Sequence, residues 1–529
     1  MVRPEIPEAS TRPSTASIHE HSTPSALQVV DKGVDSKEEW ETGGSAANPN
    51  LAGGSTYIVD WDGPDDTESP RNWKFGKKWV VTTMVSAYVF MSPVSSSMMA
   101  PASERIAAQF GVTDSTIIAL QTSMFLGGYA AGPLILGPLS EVFGRQRILQ
   151  LANFWYLAWN FGCAFAQNER ELLAFRFLSG FGGNGLLAIA GGVLGDVWPP
   201  EQRGQAVAVY TLAPLLGPVV GPMCGAWIAE KGDWRWVFWA PTIVAVVVQL
   251  VGLYVLEETY PPVLLARKAK RIKRELADSE KGNQYSEVRT IFDGADREWK
   301  NFVTKARFRP FILFVREPII QLLGSYMAFM YGTLYLFLTT IPLVFQGVYG
   351  ESLGIAGLNY IALGIGLSGV SQISARLLDV VYMRLANKNR GIGKPEYRLL
   401  FMFPGTSLLP VGLLITGWTA RPNVHWIVPD IGIVIVGAGM ILNFQSIQMY
   451  VIDAFTLHAA SALAAVTFFR SVAACVFPLF APAMYNALHY GKGDTILACA
   501  AIAIGGPSPL LFWLYGERIR NASHYARHA

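Results

Sequence analysis

Apolar runs of membrane length, parted by short charged or Gly/Pro-bearing stretches, dominate this 529-residue chain. They lie at 79–101, 115–138, 147–167, 171–195, 205–229 and 236–256, and again at 318–344, 355–383, 399–418, 426–451, 459–487 and 494–516. A helix needs about 20 apolar residues to cross a roughly 30 Å hydrocarbon core, so each run predicts one membrane-spanning helix. The pattern divides the chain into a polar tail (1–75), a six-helix bundle (76–257), a polar, basic central loop (258–317), a second six-helix bundle (318–516) and a short tail (517–529). The expected fold class is an all-α membrane protein with twelve transmembrane helices in two pseudo-symmetric bundles.

Composition agrees with the pattern. At 51% hydrophobic and 15% charged residues, with a mean hydropathy of +0.30, the chain has more apolar surface than one soluble core could bury. The net charge of +3 is small and its bases sit in particular loops, which argues against nucleic acid as a partner. Those bases report orientation instead. Lys74 to Lys78, Arg145, Arg147, Arg203, Arg267 to Arg274, Arg384 to Arg398 and Arg518 to Arg527 fall on one side if the helices alternate, and the positive-inside rule makes that side cytoplasmic, with both termini there. The sequon at Asn521 would then carry no glycan. The N-terminus lacks a signal-peptide pattern, so the first span is expected to act as the targeting signal. The Ser/Thr/Pro-rich tail reads as a disordered tether, or as a site for regulatory phosphates. Cys163, Cys224, Cys475 and Cys499 lie in apolar runs without metal-ligand spacing, so no disulfide or metal is implied.

Four stretches carry candidate chemistry. The first is GPLSEVFGRQR, Gly137 to Arg147, pinned between two spans, with Gly137 and Gly144 free to turn and Ser140, Glu141 and Arg145 placing polar groups nearby. The second is LLAFRFLSGFGGNG, where Arg176 stands inside a span at a cost of about 2.5–3.5 kcal/mol for an uncompensated charge. Snorkelling toward the interface near Glu169 and Glu171 is the alternative to a role in mechanism. The third is LAPLLGPVVGPMCGAWI, in which Gly217-Pro218, Gly221-Pro222 and Gly225 recur every fourth position, favouring close helix approach and a kink. The fourth is GDVWPPEQRGQA, with Asp196 and Arg203.

The first stretch resembles the signature loop of the major facilitator superfamily, G-x-L-(S/A)-D-x-x-G-R, with Glu141 for the usual Asp and Val142 for a common Arg. Arg176 to Gly182 is similar to its R-x-x-x-G-x-G segment. The Gly-Pro repeat is similar to the antiporter motif of its proton-coupled exporters, with Ala226 for the last Gly. The stretch before the first span, DGPDDTESPRNWKFGKKW, and LEETYPPVLLARKAKR after the sixth are similar to fungal drug:proton antiporters of that superfamily. The resemblance implies that Glu141, Arg145, Asp196 and Arg203 latch a cytoplasmic gate. It implies that Arg176 tunes proton binding and that the Gly-Pro repeat marks export. Asp379, with Arg376 and Arg384, occupies a degenerate copy of the signature loop, and Asp453 and Arg470 read as gate residues around the loop between spans ten and eleven.

A substrate cavity should present polar and aromatic side chains at mid-membrane depth. Gln121, Tyr129, Asn153, Asn160, Asn184, Tyr331, Tyr335, Asn443 and Gln445 are the candidates. No carboxylate is placed clearly at that depth, leaving Glu141, Asp196 and Glu257 as weak proton acceptors. A helix around Leu264 to Leu276 is expected either to rest on anionic lipid or to stand solvated. With no P-loop and no GxSxG, HExxH or CxxC pattern, neither ATP drive nor enzyme chemistry is expected. The reading is a monomeric plasma-membrane exporter of amphipathic toxic small molecules. It uses no cofactor, is driven by the proton gradient, and has the lipid bilayer, a hydrophobic substrate and protons as partners. The alternatives are an uptake carrier for a polyamine or other nutrient on the same fold, and a transporter-like sensor.

Overall fold

The computed structural model describes residues 55–199, 202–277, 285–292, 309–390, 393–455 and 459–523. Most of the N-terminal tail and the last six residues lie outside them. The first half contains α1 (Phe75–Met98), a short α2 (Ser103–Phe110), α3 (Ser115–Phe143), α4 (Arg145–Phe165), α5 (Glu169–Val197), α6 (Arg203–Lys231) and α7 (Trp236–Val255). After the helix α8 (Pro261–Ala277), the second half contains α9 (Pro318–Tyr349), α10 (Leu353–Lys388), α11 (Met402–Thr419), α12 (Ile427–Ala454), α13 (Ala459–Gly505) and α14 (Pro507–Ala522). Eight helical segments among the described residues are long and apolar enough to cross a membrane by length and composition. One of them, Ser461–Ala522, is interrupted at His489, whose positive φ of 57° breaks α13 into two arms.

Local sequence sets the helix ends. Asp114 caps α3 by accepting from Thr116 N at 2.8 Å, and Asn168 caps α5 by accepting from Glu171 N at 2.9 Å. The outer faces carry Ile243, Val247, Leu250 and Tyr254 on α7 and Ile361, Ile365 and Ile373 on α10, all exposed. Such faces need lipid as their solvent. Within α10 a π-helical turn, Ile365–Gly369, brings Gly366 against the α12 backbone at Val434.

Two sequence expectations change here. The eleven-residue signature loop is not a loop. Helix α3 runs through Gly137 to Phe143, and Gly144 is the sole non-helical residue before α4 begins at Arg145. Gly137 stands inside α3 and makes no turn, and a Cβ there would meet open space.

The basic helix α8 is not free in solution but docked on the segment ahead of the first span. Its Lys268 ammonium pairs with Asp62 at 2.6 Å and Asp66 at 3.5 Å, and Arg271 pairs with Glu68 at 3.1 Å. Burial opposes ionisation of Asp66, but the amides of Asp62 and Glu68 together with Lys268 outweigh it and hold its pKa below the ordinary value. The clasp is extended by a parallel pair of strands, β1 (Ser55–Val59) and β2 (Tyr285–Thr290). The acidic segment ahead of the first span is thereby tied to the central loop.

Candidate functional site

Helix α1 supplies the centre of the site. Its run Ser92 to Ser97 is fully buried, and three of the hydroxyls reach tyrosines on three other helices. Ser92 Oγ shares a hydrogen bond with Tyr129 Oη of α3 at 2.5 Å, Ser95 Oγ with Tyr156 Oη of α4 at 2.5 Å, and Ser96 Oγ with Tyr335 Oη of α9 at 2.9 Å. The last of these joins the two halves. Tyr335 lies 5.4 Å from the Tyr331 ring, and the Arg470 guanidinium sits over Tyr331 at 4.8 Å and over Phe444 at 5.2 Å.

Arg176 lies beside this cluster and is 0% exposed, so it does not snorkel. It donates to four backbone carbonyls, Ser95 at 2.9 Å, Ser96 at 3.1 Å, Thr122 at 3.2 Å and Gln121 at 3.4 Å, and faces the Phe125 ring at 4.7 Å. Carbonyl dipoles therefore offset its charge where no carboxylate pairs with it among the described residues. The guanidinium staples α5 to α1 and α3.

The Gly-Pro repeat forms the seam between α6 and α1. Built at Gly221, a Cβ would stand 2.5 Å from Ser97 Oγ and 2.6 Å from Val94 O, and at Gly217 and Gly225 it would strike Pro93 and Met98. Pro218 and Pro222 lie inside α6 on the same stretch. Small residues every fourth position permit backbone contact along the whole seam.

At one end of the bundle stand two matching charge clusters. Arg145, at the start of α4, bonds Ser140 Oγ at 2.7 Å, pairs with Asp196 at 3.4 Å and Glu141 at 3.8 Å, and lies over the Tyr260 ring at 4.8 Å. Arg398, just before α11, pairs with Asp379 at 2.7 Å and Asp453 at 3.0 Å and lies over the Tyr382 ring at 4.2 Å. Each is one arginine between two carboxylates on a tyrosine face. Arg398 is a residue that sequence reasoning missed. Its signal was a base at the start of a span, in EYRLLF, in the same place as Arg145 in the first half. The Arg203 side chain lies outside the described residues.

Gly144 completes the first cluster. Its φ of 100° and ψ of 152° belong to glycine, and a Cβ there would enter the Glu258 carboxylate, which itself accepts from Arg145 N at 2.8 Å. Gly144→Ala is expected to destabilise the protein by about 1–3 kcal/mol, read as a lower melting temperature in detergent. Adding Glu258→Ala should recover only the part owed to the contact. An unchanged melting temperature in the single variant would remove Gly144 from this account.

Other residues stand elsewhere than the sequence placed them. Arg470, read with Asp453 as a gate residue around the loop between spans ten and eleven, lies in the interior within α13, over the Tyr331 ring, while Asp453 is held by Arg398. Asn153 donates to Gln249 at 2.7 Å and Asn160 to Thr242 at 2.7 Å, so both join α4 to α7 rather than line a cavity. Asn184 ties α5 to the Tyr129 carbonyl, Asn443 bonds Tyr326 Oη at 3.2 Å, and Gln445 is held by Ser371 and Ser374 of α10. Gln121 is buried, and among the described residues neither of its side-chain polar atoms has a hydrogen-bond partner. Glu257 is an exposed partner of Lys77 at 2.7 Å. Asp494, in the second arm of α13, is 3% exposed and accepts from Tyr485 Oη at 2.6 Å, beside a small cavity walled by Phe337, Ile341, Phe345 and Ile433. It is a buried carboxylate that the sequence reading passed over because it opens a span. The four cysteines are free.

The halves touch away from the two charge clusters. Glu230, near the end of α6, accepts from Gly354 N at the start of α10, and Gly357 and Gly364 lie against Ala226 and Val219. Among the described residues, the ion pairs of each charge cluster lie within one half.

Comparison with known proteins agrees with this arrangement. The model of the family described as Major Facilitator Superfamily matches residues 85–478. The chain is 44% identical over 469 residues, 89% of its length and 91% of the other protein, to "Efflux pump vrtL" of Penicillium aethiopicum. It is 40% identical to "Efflux pump radE" of Floropilus chiversii, covering 90% of this chain and 87% of that one. Its fold is similar to the xylose transporter XylE from E. coli in a partially occluded inward-open conformation, with a TM-score of 0.61 at 15% identity over 83% of this chain and 98% of that one. Paired arginine clusters on two helical halves, a glycine seam and lipid-facing apolar surfaces thus meet a family match over most of the chain: the protein is a multi-pass membrane transporter belonging to the major facilitator superfamily.

Proposed function

We propose that this transporter is a proton-coupled exporter of amphipathic toxic small molecules, xenobiotic or self-made, working by alternating access in the plasma membrane. In this reading it has twelve spans, both termini are cytoplasmic, and the working unit is the monomer. The observation that carries it is the pair of matched charge clusters, Arg145 with Glu141 and Asp196, and Arg398 with Asp379 and Asp453, each closed within its own half while the far ends of the halves touch. That is the arrangement expected of one end-state of two rocking bundles, with the cavity open toward the clusters. Export is favoured by the α6–α1 glycine seam and by relatives whose printed names are efflux pumps. A polyamine uptake carrier would want carboxylates around its cavity, whereas the charges at the centre here are the Arg176 and Arg470 cations.

Asp494 is the proposed proton acceptor, since a buried carboxylate with, among the described residues, only a tyrosine hydroxyl bonded to it is costly to keep ionised. The test is retention of hydrophobic dyes, azoles and fungal toxins in cells with and without the protein, with and without an uncoupler. Lowered retention that the uncoupler restores is expected, and Asp494→Asn should export poorly with or without the gradient. Raised uptake in cells carrying the protein would overturn the direction, and an uncoupler-insensitive export would overturn the coupling.

A further inference from the structure

Of the arginines within the helical halves, Arg145 and Arg398 are held between carboxylates and Arg176 among carbonyls. Arg470 differs. It is the twelfth residue of α13, about 16 Å along the helix at 1.5 Å per residue, well inside the first arm. It is 9% exposed, its Nε has no hydrogen-bond partner, and no carboxylate pairs with it among the described residues. Its neighbours are the faces of Tyr331 and Phe444, and beyond Tyr331 stand Tyr335 with Ser96 and, across α3, Tyr129 with Ser92. Ring faces attract a cation but leave its N–H groups unused.

We propose that Arg470 is the anchor for an anionic oxygen group on a planar, amphipathic substrate: a carboxylate, enolate or phenolate attached to an aromatic or conjugated body. This specifies the substrate class of the export reading and rests on the central cluster being its substrate site. The chemistry is complementary. A guanidinium offers a planar fork of donors that matches a carboxylate or a vicinal pair of oxygens, and it is weakly hydrated enough to be held ready at depth. The flanking tyrosines supply flat apolar faces for the body of the ligand and hydroxyls for its remaining polar atoms. A neutral molecule of the same shape would fill the aromatic faces but leave the guanidinium unpaired, so discrimination falls on the anionic group.

The probe pair is 1-hydroxy-2-naphthoate and its methyl ester, measured by equilibrium fluorescence binding to the full-length protein in lipid nanodiscs at pH 7. The acid is expected to bind about tenfold or more tighter than the ester, the size of effect of one charge-assisted hydrogen-bonded pair. Arg470→Gln should bring the ratio close to one while leaving ester affinity unchanged, and Arg470→Lys should keep part of the preference. Equal binding of acid and ester by the unaltered protein would overturn the proposal without recourse to any variant. So would an Arg470→Gln variant that weakens both ligands alike, since that is the behaviour of a packing residue. Binding in nanodiscs is independent of transport direction and of protons. A retained acid preference alongside failed export in cells would therefore support Arg470 and reject the export reading.

Discussion

Arg176→Ala is expected to abolish export and to lower thermal stability together. The guanidinium ties carbonyls of Ser95 and Ser96 on α1 to those of Gln121 and Thr122 on α3, and it does so from α5. Alanine leaves that junction without donors in a place that water does not reach. Hydrogen bonds to a charged group are worth about 1.5–3 kcal/mol each, and losing a buried partner costs about 1–3 kcal/mol, so a fall of roughly 3 kcal/mol or more is reasonable once local relaxation is allowed. The same residues carry the Ser95–Tyr156 and Ser96–Tyr335 bonds, so the centre of the site loosens with the junction. Arg176→Lys should be intermediate, because one ammonium has three donors and no planar fork. Dye retention in cells, paired with melting of the purified protein, reads both effects. Near-normal export by the alanine variant would mean that the four carbonyl bonds serve neither the site nor its motion.

Gly221→Leu is expected to have a comparable effect by a different route. The clash is with backbone, at Val94 O, as well as with Ser97 Oγ, so rotation of a side chain cannot relieve it. Overpacking a rigid contact costs about 1–3 kcal/mol even where some movement is possible. Here the displaced helix is α1, which holds the serines of the central cluster. Export should be lost while protein still reaches the membrane, because the seam can open without unfolding either helix. Gly221→Ala separates seam width from seam chemistry: it should retain partial export, and if the leucine variant exports as well as the unaltered protein, close approach of α6 and α1 is not required for transport.

Much of the architecture was legible in the pattern of apolar runs, since lipid obliges each run to satisfy its backbone hydrogen bonds internally. The signature stretch, Arg176 and the Gly-Pro repeat were legible for a related reason. A buried charge and an every-fourth-residue glycine are costly choices that local helix formation does not require. Individual polar residues were less legible. Asn153, Asn160 and Gln445 carry the same amide as a ligand-facing residue would, and the sequence cannot tell which helix face meets a neighbour. Arg398 was overlooked because a base at a span end is ordinarily read as an interface anchor.

By itself the sequence determined the membrane class and the all-α fold, because those follow from how many residues of what polarity stand together. Tertiary structure alone decided who meets whom. It left Gly144 as the only break between α3 and α4 and set Arg398 between Asp379 and Asp453. It also docked α8 on Asp62 and Asp66 and brought Arg470 to Tyr331. The physical reason is range. Hydropathy is a property of neighbouring residues, whereas ion pairing and hydrogen bonding depend on distances of a few ångströms between residues far apart in the chain, which only the packed helices fix.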